Sequence, residues 1–455
     1  MNPLFTDLYQ ITMAYAEWKA KRADEKSVFE AFFRKAPFKG NYTIFAGLDE
    51  VCRFLKDFKF TADHLAYIKS QLPHVEDEFL EWLEGLNPSQ DVKVTGMLDG
   101  TIVYASEPLL TLEGPFALLQ LLETPILNLI NFASLVCTNA SRMVLVSGDN
   151  VKCVEFGLRR AQGPNGSLTA SKYSYLGGFA ATSNVYAGYL YGIPIAGTCA
   201  HSFIMSFESE DDIADSRMLG PKDSSSEPID ILERAMHYRE ELGWQETQLK
   251  ELYAFVSFAV AYPNSFSSLV DSYSTLNSGV KNFLLICLVL TDLGYTPIGI
   301  RLDSGDLADL SIQAKKMFAE VGTKYGRDFS NLKVVASNDI NEKAINQLNE
   351  KGHQIDMFGI GTNLVTCQAQ PALGMVYKVV EFKGTPRVKI SEEPSKTTIG
   401  GAKAVLRAFD ADSKPVLDLM CLMAEYESLS QASTEEVIAA VADPKTADLT
   451  KIAKF

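Results

Sequence analysis

The pattern of hydrophobic and polar positions changes character near residue 151. Before that point, alternating stretches such as SVFEAFFRKAP and DVKVTGMLDGTIVYASEPLLTLEGP predict short strands separated by turns. The segment from Thr61 to Leu86 has apolar residues spaced by three and four, which predicts helix. FALLQLLETPILNLINFASLVCTNASRMVLV is apolar all round and predicts a long buried helix, kinked or divided at Pro125.

After residue 151, apolar runs alternate with helix-like stretches. Six runs each end in polar, Gly or hydroxyl residues: VKCVEFGLRRAQG, GIPIAGTCAHS, FSSLVDSYST, TPIGIRLDSGD, KVVASND and IDMFGIGTN. Such repetition predicts a parallel sheet with helical crossovers, and hence an α/β protein. No G-x-G-x-x-G follows an early strand, which favours a β/α barrel over a dinucleotide-binding sheet.

The ends of the six runs carry the reactive side chains. In chain order these are Arg159 and Arg160, His201, Asp271, Arg301 with Asp303 and Asp306, Asn338 with Asp339, and Thr362 with Asn363. In a β/α barrel the carboxyl ends of the strands form one rim, where active sites lie. Six such ends in order therefore predict a shared site. The final part of the chain returns to alternating strands and is interpreted as completing the first domain.

Composition and charge narrow the function classes. The 455 residues include 57 acidic and 42 basic side chains, for a net charge of −15. This acidity argues against nucleic acid and anionic membranes as partners. The seven scattered cysteines have no C-x-x-C spacing, which argues against a disulfide framework or structural zinc and favours a reducing compartment. With no signal-peptide pattern at the start, we expect a cytoplasmic protein.

Several motifs have both a functional and a structural interpretation. The glycines of DMFGIGTNLVT suit a phosphate site or a tight turn. RLDSGDL suits Mg²⁺ or ribose hydroxyls, or alternatively an Arg–Asp pair followed by Asp306 as a helix cap. Phe156 and Arg159 of FGLRRAQG are either ring-stacking and phosphate-binding groups or a core aromatic beside a surface arginine. His201 is either a hydrogen-bonded core residue or a nucleophile.

Taken in order, these motifs resemble the nicotinate phosphoribosyltransferase family, a group of type II phosphoribosyltransferases. The resemblance is carried by FTDLYQITMAY, EFGLRRAQG, SYLGGF, GIPIAGTCAHSF, LVDSYST, RLDSGDL, ASNDI, DMFGIGTNLVT and GMVYKVVE. It implies an irregular β/α barrel plus a smaller α/β domain built from both chain ends. We place the domains at residues 1–130, 131–370 and 371–455, the last segment completing the first domain.

The resemblance also implies the reaction. Nicotinate is joined to phosphoribosyl pyrophosphate, giving nicotinate mononucleotide and pyrophosphate in NAD biosynthesis. The reaction uses Mg²⁺, with ATP as a co-substrate hydrolysed through a phosphohistidine. A homodimer with active sites at the subunit interface is implied as well.

Roles carried over by motif position assign His201 as the phosphorylated histidine. Tyr9, reaching in from the partner subunit, and Phe156 would sandwich the pyridine ring, while Thr198 and Arg301 would contact nicotinate.

The remaining roles concern phosphate and ribose. Arg159 would bind phosphate, and Gly359, Gly361 and Thr362 would hold the 5′-phosphate. Asp271, Asp303 and Asp306 would act on ribose, Mg²⁺ or the pyridine, and no metal ligand is assigned individually.

Two alternatives remain at this point: a nicotinamide phosphoribosyltransferase of the same architecture, and a non-catalytic phosphate-binding barrel. The stretch after Met423 has a helical pattern but is short relative to the family. We expect the short stretch to affect stability more than chemistry.

Overall fold

The fold comes from a computed structural model, which describes residues 2–218, 220, 228–393 and 396–432. The chain divides into two compact units. Unit 1 comprises residues 1–138 and 370–455, and unit 2 comprises residues 139–369. Helices and strands are numbered below in chain order. The region predicted as a helical tail after Met423 is helical to Leu429, and residues 433–455 lie outside the described residues.

Unit 1 is built on an antiparallel sheet that joins the two ends of the chain. The strands of unit 1 are β1 (Lys26–Phe33), β2 (Thr43–Ile44), β3 (Lys93–Gly96), β4 (Ile102–Val103), β5 (Leu110–Pro115), β14 (Met375–Phe382), β15 (Thr385–Pro386), β16 (Lys403–Phe409) and β17 (Pro415–Leu422). In its described part, one sheet has the order β15-β14-β1-β5-β3, and β16 pairs with β17 in a separate hairpin. Strand β1 is central, and Phe29 stacks on Tyr377 of β14 with the ring centroids 4.9 Å apart. The prediction that the C-terminal strands complete the N-terminal fold is therefore confirmed.

The helices of unit 1 include those predicted for Thr61 to Leu86 and for the apolar run 116–146. They are α1 (Leu8–Lys19), α2 (Leu48–Asp57), α3 (Ala62–Gln71), α4 (Asp77–Glu84), α5 (Pro88–Asp91), α6 (Phe116–Leu121), α7 (Glu123–Ser147) and α17 (Met423–Leu429). The predicted break is present between α6 and α7, and Pro125 lies in the first turn of α7, where its missing N–H costs no helical hydrogen bond. Residues 139–147 at the end of α7 belong to unit 2.

Helix α7 is also the one helix of the described chain that is long and apolar enough to cross a membrane. However, 56% of its most apolar stretch is buried within the protein, as in a core helix. Its apolar faces therefore serve packing.

Unit 2 is an α/β assembly around a parallel sheet. Its strands are β6 (Lys152–Glu155), β7 (Ala181–Thr182), β8 (Arg217–Met218), β9 (Ile229–Asp230), β10 (Ser267–Leu269), β11 (Gly299–Leu302), β12 (Lys333–Ala336) and β13 (Met357–Ile360). The order β10-β11-β12-β13-β6-β7 is parallel throughout and forms a half-barrel. The predicted α/β class with an irregular β/α barrel is thereby confirmed.

Helices connect and cover these strands. They are α8 (Gly163–Leu176), α9 (Val185–Tyr191), α10 (His201–Met205), α11 (Ile231–Glu241), α12 (Leu249–Ala261), α13 (Val280–Asp292), α14 (Leu307–Tyr325), α15 (Glu342–Lys351) and α16 (Thr362–Thr366). Helix α13 is buried at nearly every position from Val280 to Leu290, so it forms the centre of this core. Its run FLLICLVL is therefore a core helix segment.

One of the six predicted strands is wrong. The segment IPIAG forms no strand; Ile195 makes a single parallel bridge to Thr182 and is 59% exposed. Pro194 has no N–H to donate to a ladder, which limits pairing at this point. The segment lies beside the two-residue strand β7 at the end of the sheet, and GTCAHS follows as an irregular segment leading to α10.

All seven cysteines are free, and five of them are buried. Burial raises the pKa of the Cys153 thiol to about 11 and that of Cys137 to about 12. These thiols therefore behave as small apolar side chains, as their apolar sequence context predicts.

Candidate active site

A cavity of about 420 Å³ opens in unit 2 where the parallel strands end. Most of its lining residues end or follow β6, β7, β10, β11, β12 and β13, as the barrel rule predicts, and the others come from the irregular segment before α10. They are Phe156, Arg159, Arg160, Ser183, Gly197, Thr198, Cys199, Ala200, His201, Leu269, Arg301, Asp303, Ser337, Asn338, Asp339, Ile340, Gly359, Gly361 and Thr362. Most of the site residues expected from the sequence therefore face one space.

An arginine and an aromatic ring form one part of the cavity. The Arg301 guanidinium carbon lies 5.7 Å from the centroid of the Phe156 ring, within the range of a cation–π contact. Gly359 packs against the same ring: a Cβ at this position would lie 2.5 Å from the ring edge. Gly359 is therefore required for close packing, with an ordinary backbone conformation.

Polar contacts fix the direction of the Arg301 fork. Its Nε donates to Ser337 Oγ at 3.0 Å, and Nη1 donates to Thr198 Oγ1 at 3.3 Å. Nη2 lies 3.4 Å from Asp303 Oδ2, and Ser337 also donates to Asp303 at 2.5 Å. The arginine is held rigidly at the cavity wall, and such a planar fork is suited to a carboxylate or a phosphate.

His201 begins helix α10 and has a different ring environment on each nitrogen. Nδ1 lies 3.1 Å from Ser272 Oγ, while Nε2 lies 3.8 Å from Asp271 Oδ1 and 3.9 Å from Asp303 Oδ2. Asp271 is almost fully buried and accepts a 2.6 Å hydrogen bond from Ser304 through Oδ2; its Oδ1 has no hydrogen-bond partner among the described residues. Asp271 therefore lies behind the imidazole, next to the cavity lining.

Arg159 and Arg160 form the cationic side of the cavity. They end a short 3-10 turn, Leu158–Arg160, which Gly157 separates from Phe156, and both are exposed. Neither makes a hydrogen bond or an ion pair with any residue that the structure describes. Because the protein carries a net charge of −15, two unpaired arginines facing one space mark a site for an anion.

The GIGTN segment closes the opposite side. Gly361 precedes helix α16, and a Cβ there would lie 3.2 Å from the Phe156 carbonyl oxygen. Thr362 is the first residue of this five-residue helix and lines the cavity. The close approach of the Phe156 carbonyl oxygen explains why residue 361 is a glycine. The expected contact of Thr362 with phosphate stays a prediction.

Three expected site residues are not among the cavity lining: Asp271, described above, Asp306 and Tyr9. Asp306 caps helix α14 by accepting from the Asp309 N–H at 3.3 Å, and it pairs with Lys351. The lysine contact lowers the pKa of Asp306 from its usual value. Asp306 thus has the structural role that the sequence left open as an alternative. Tyr9 lies on α1 in unit 1, with its side chain 48% exposed.

Two further cavity residues were named from the sequence among the polar strand ends but were given no individual role. Asn338 and Asp339 have φ angles of 92° and 50°, a left-handed conformation that costs energy in non-glycine residues and concentrates at functional sites. The Asp339 side chain has no hydrogen bond or ion pair within the described part of the chain. The signal was the Asn-Asp pair at the end of KVVASND, since these two residue types tolerate this backbone best.

The fold and the cavity together define the class of protein. A half-barrel of parallel strands places three arginines, two carboxylates, a histidine and an aromatic ring around one space. This arrangement is that of an enzyme acting on an anionic substrate that also has a flat ring.

Comparisons with known proteins make the assignment specific. The nicotinate phosphoribosyltransferase (NAPRTase) N-terminal domain matches residues 4–131, and the nicotinate phosphoribosyltransferase (NAPRTase) family matches residues 291–420. Nicotinate phosphoribosyltransferase of Dictyostelium discoideum is 50% identical over 421 residues, covering 92% of this chain and 71% of the relative. The Caenorhabditis elegans enzyme is 48% identical, covering 94% and 77%.

Solved structures agree. Human nicotinic acid phosphoribosyltransferase matches with a TM-score of 0.82 and 40% identity, covering 92% of this chain and 82% of the human one. A nicotinate-nucleotide pyrophosphorylase from Pyrococcus furiosus, 18% identical with a TM-score of 0.60, shares the fold. The chain belongs to the nicotinate phosphoribosyltransferase family, and it is a phosphoribosyltransferase enzyme.

Proposed function

We propose that this enzyme joins nicotinate to phosphoribosyl pyrophosphate, with ATP hydrolysis coupled through His201, as a step of NAD biosynthesis. The observation that carries the proposal is the Arg301–Phe156 pair beside His201 in one cavity, in a chain whose relatives are named for this activity. The ring nitrogen of nicotinate attacks C1 of the ribose. The C1–O bond to pyrophosphate breaks with its electron pair on the departing oxygen.

Nicotinate is oriented by its two chemical features. Its carboxylate meets the fixed guanidinium of Arg301 beside Thr198, and its pyridine ring stacks on Phe156. Tyr9 of the partner subunit covers the other face of the ring, in a homodimer whose active sites lie at the interface. Orientation of this kind lowers the barrier by holding the reacting atoms in an attack geometry.

Phosphoribosyl pyrophosphate occupies the cationic part of the cavity. Arg159 and Arg160 contact its phosphates, and Gly359, Gly361 and Thr362 surround the 5′-phosphate. Positive charge develops on the ribose as pyrophosphate departs. The carboxylates of Asp303 and Asp339 stabilise this charge because they face the same space.

Residues of the cavity would hold Mg²⁺ together with the phosphates of phosphoribosyl pyrophosphate. Among the described residues, no group of three His, Cys, Asp or Glu side chains is arranged to hold a metal ion. Magnesium usually binds one or two carboxylates together with substrate phosphates. The unpartnered Asp339 carboxylate, with Asp303, suits that role, and the bound ion would neutralise charge on the leaving pyrophosphate.

His201 couples the reaction to ATP. In the tautomer in which Nδ1 donates to Ser272 Oγ, Nε2 is the ring nitrogen with a free electron pair for the γ-phosphorus. An N–P bond forms, the bond to the β-phosphate oxygen breaks, and ADP leaves. Water later hydrolyses the phosphohistidine to inorganic phosphate. We propose that the enzyme works in the cytoplasm, where its seven free thiols stay reduced.

The test is His201→Asn, assayed with phosphoribosyl pyrophosphate, Mg²⁺ and nicotinate, with and without ATP. We expect ATP to stimulate the parent and to have no effect on the variant, which retains slow uncoupled transfer. His237→Asn is the matched control, because His237 is an exposed histidine of the same unit on α11 that does not line the cavity. Equal ATP stimulation in His201→Asn and the parent would overturn the coupling role.

A further inference from the structure

A buried carboxylate lies directly beneath the cavity and has no role in the proposed chemistry. Glu155 is the last residue of β6, is 1% exposed, and does not line the cavity. It forms no ion pair with any described residue. A buried carboxylate without a cation is costly unless hydrogen bonds satisfy its oxygens. Hydrogen bonds must therefore offset the cost of burying Glu155 at this position.

Three donors from different elements converge on this carboxylate. The Gly157 N–H donates to Oε1, while Ser171 Oγ and Thr182 Oγ1 donate to Oε2 at 2.8 and 2.6 Å. Asn184 directs both hydroxyls: its N–H donates to Thr182 Oγ1 at 2.9 Å and its Nδ2 donates to Ser171 Oγ at 3.2 Å. Each hydroxyl accepts from Asn184 and can donate its own proton to Glu155; for Ser171 the Ser167 carbonyl oxygen, at 3.0 Å, is a second acceptor.

The donors belong to segments that lead into the cavity wall. Gly157 lies between Phe156, which packs beside Arg301, and the turn that carries Arg159 and Arg160. Thr182 ends β7 and precedes Ser183, another lining residue. Glu155 is thus the point at which α8, β7 and the 156–160 turn are joined by hydrogen bonds.

We propose that Glu155 is a positioning residue that fixes the 156–160 turn, and through it the Phe156 ring and the two arginines, for binding of the anionic substrate. The inference rests on the proposed function. It assigns Glu155 an effect on substrate affinity, exerted through the Gly157 N–H, without contact to the reacting atoms.

Glu155→Gln tests the residue itself. The amide keeps the size of the side chain, but it cannot accept from the peptide N–H and both hydroxyls at once. We expect the KM for nicotinate and for phosphoribosyl pyrophosphate to rise roughly tenfold, with kcat within about threefold of the parent. A loss of kcat and thermal stability with unchanged KM values would mean that Glu155 only supports folding, and would overturn the proposal.

A matched pair of serines keeps the proposal testable should Glu155→Gln fail to fold. Ser171 and Ser167 are both buried on α8, one turn apart, and only Ser171 contacts Glu155; Ser167 donates to the Pro164 carbonyl oxygen. We expect Ser171→Ala to raise both KM values roughly fivefold and Ser167→Ala to leave them unchanged. Equal KM values for the two variants would contradict the role of the network.

Thr182 supplies a rescue by conservative replacement. Thr182→Ser keeps the hydroxyl that donates to Glu155, and we expect parental KM values; Thr182→Val removes it, and we expect the rise seen for Ser171→Ala. Matching KM values in Thr182→Ser and Thr182→Val would count against the proposal.

Calorimetric titration with inorganic pyrophosphate separates this inference from the proposed function. Affinity for this probe needs the arginines of the turn but no turnover. Weaker binding in Ser171→Ala than in Ser167→Ala supports Glu155 as a positioning residue even if nicotinate is not a substrate. Equal affinities refute it even if the parent makes nicotinate mononucleotide.

Discussion

Two buried glutamates, one in each unit, are stabilised in opposite ways. In unit 1, Glu30 of β1 is 1% exposed and pairs with the Lys403 Nζ at 2.7 Å; the Lys403 N–H also donates to it at 2.9 Å. In unit 2, Glu155 is equally buried but is held by a peptide N–H and two hydroxyls. The ammonium group of Lys403 neutralises the Glu30 carboxylate, whereas uncharged hydrogen-bond donors stabilise the Glu155 carboxylate.

Other charged residues of the two units show the same contrast. Unit 1 also pairs Arg407 with Asp418 through two hydrogen bonds of 2.7 and 2.6 Å. In the described part of unit 2, Arg159, Arg160 and Asp339 line the cavity without any such partner. The difference teaches that unit 1 pairs these charges with each other, while the cavity of unit 2 leaves charge available for substrates.

The largest effect is expected where the unit 1 pair is broken. Lys403→Met leaves Glu30 buried without its cation, and we expect a loss of about 3–5 kcal/mol in the free energy of unfolding. Lys383→Met is the control, because Lys383 pairs with Glu25 at the surface and its loss should cost less than about 1 kcal/mol. Denaturant unfolding measures both. A loss for Lys403→Met as small as for the control would break the comparison.

Arg301→Ala addresses the charge that unit 2 presents to substrate. It removes the proposed partner of the nicotinate carboxylate, and we expect kcat/KM for nicotinate to fall roughly 100-fold. ATP hydrolysis should fall much less, because His201 is retained. Arg239→Ala is not a suitable control, since Arg239 is buried and bonded to Thr247; exposed Arg53→Ala serves instead. An unchanged nicotinate KM and turnover in Arg301→Ala would contradict the assignment.

The pH dependence of unfolding tests another buried carboxyl group of unit 1, that of Glu107. Burial, together with the nearby Asp418 carboxylate, raises the pKa of Glu107 from 4.5 to about 7. Because the folded state binds this proton more tightly, Glu107 adds stability below about pH 4.5 and loses it as the pH rises through about 7.

We therefore expect the Glu107 contribution to unfolding, of roughly 2 kcal/mol, to disappear between about pH 5 and pH 8. Glu107→Gln should flatten that slope, whereas Glu81→Gln, at an exposed position on α4, should not. Thermal unfolding across this pH range measures the slope. The same slope in Glu107→Gln and the parent would disprove the role of Glu107.

The smallest expected effect comes from glycine packing in the cavity. Gly359→Ala places a Cβ against the Phe156 ring, which must shift. We expect the KM for nicotinate to rise roughly tenfold with kcat less affected. Gly85→Ala is the control, because a Cβ at Gly85 would have no contact closer than 3.5 Å. Gly352→Ser would not serve as a control, because the backbone of Gly352 is left-handed. Parental KM in Gly359→Ala would mean that the ring does not position nicotinate.

Much of this architecture is predictable from local pattern. Five of the six apolar runs after residue 151 are strands of the parallel sheet, and their polar ends meet at one cavity because parallel strands end at one edge. The failure at IPIAG is also physical. A proline removes a donor there, and the neighbouring strand, Ala181–Thr182, is too short to carry a recognisable period.

The site is less predictable than the fold because sequence order does not reveal packing. Asp306 stands in the same motif as Arg301 and Asp303, yet only the structure shows it as a helix cap paired with Lys351. Glu155 lies next to Phe156 in sequence but under the cavity in space. Its three donors come from residues 157, 171 and 182, a convergence that spacing alone does not display.

The most direct test of the central claim supplies nicotinate and nicotinamide together. The purified enzyme receives equal amounts of both with phosphoribosyl pyrophosphate and Mg²⁺, with and without ATP, and the mononucleotides are separated by chromatography. The account predicts nicotinate mononucleotide as the main product, at a rate that ATP increases. Nicotinamide mononucleotide alone, or no mononucleotide from folded enzyme, would contradict it.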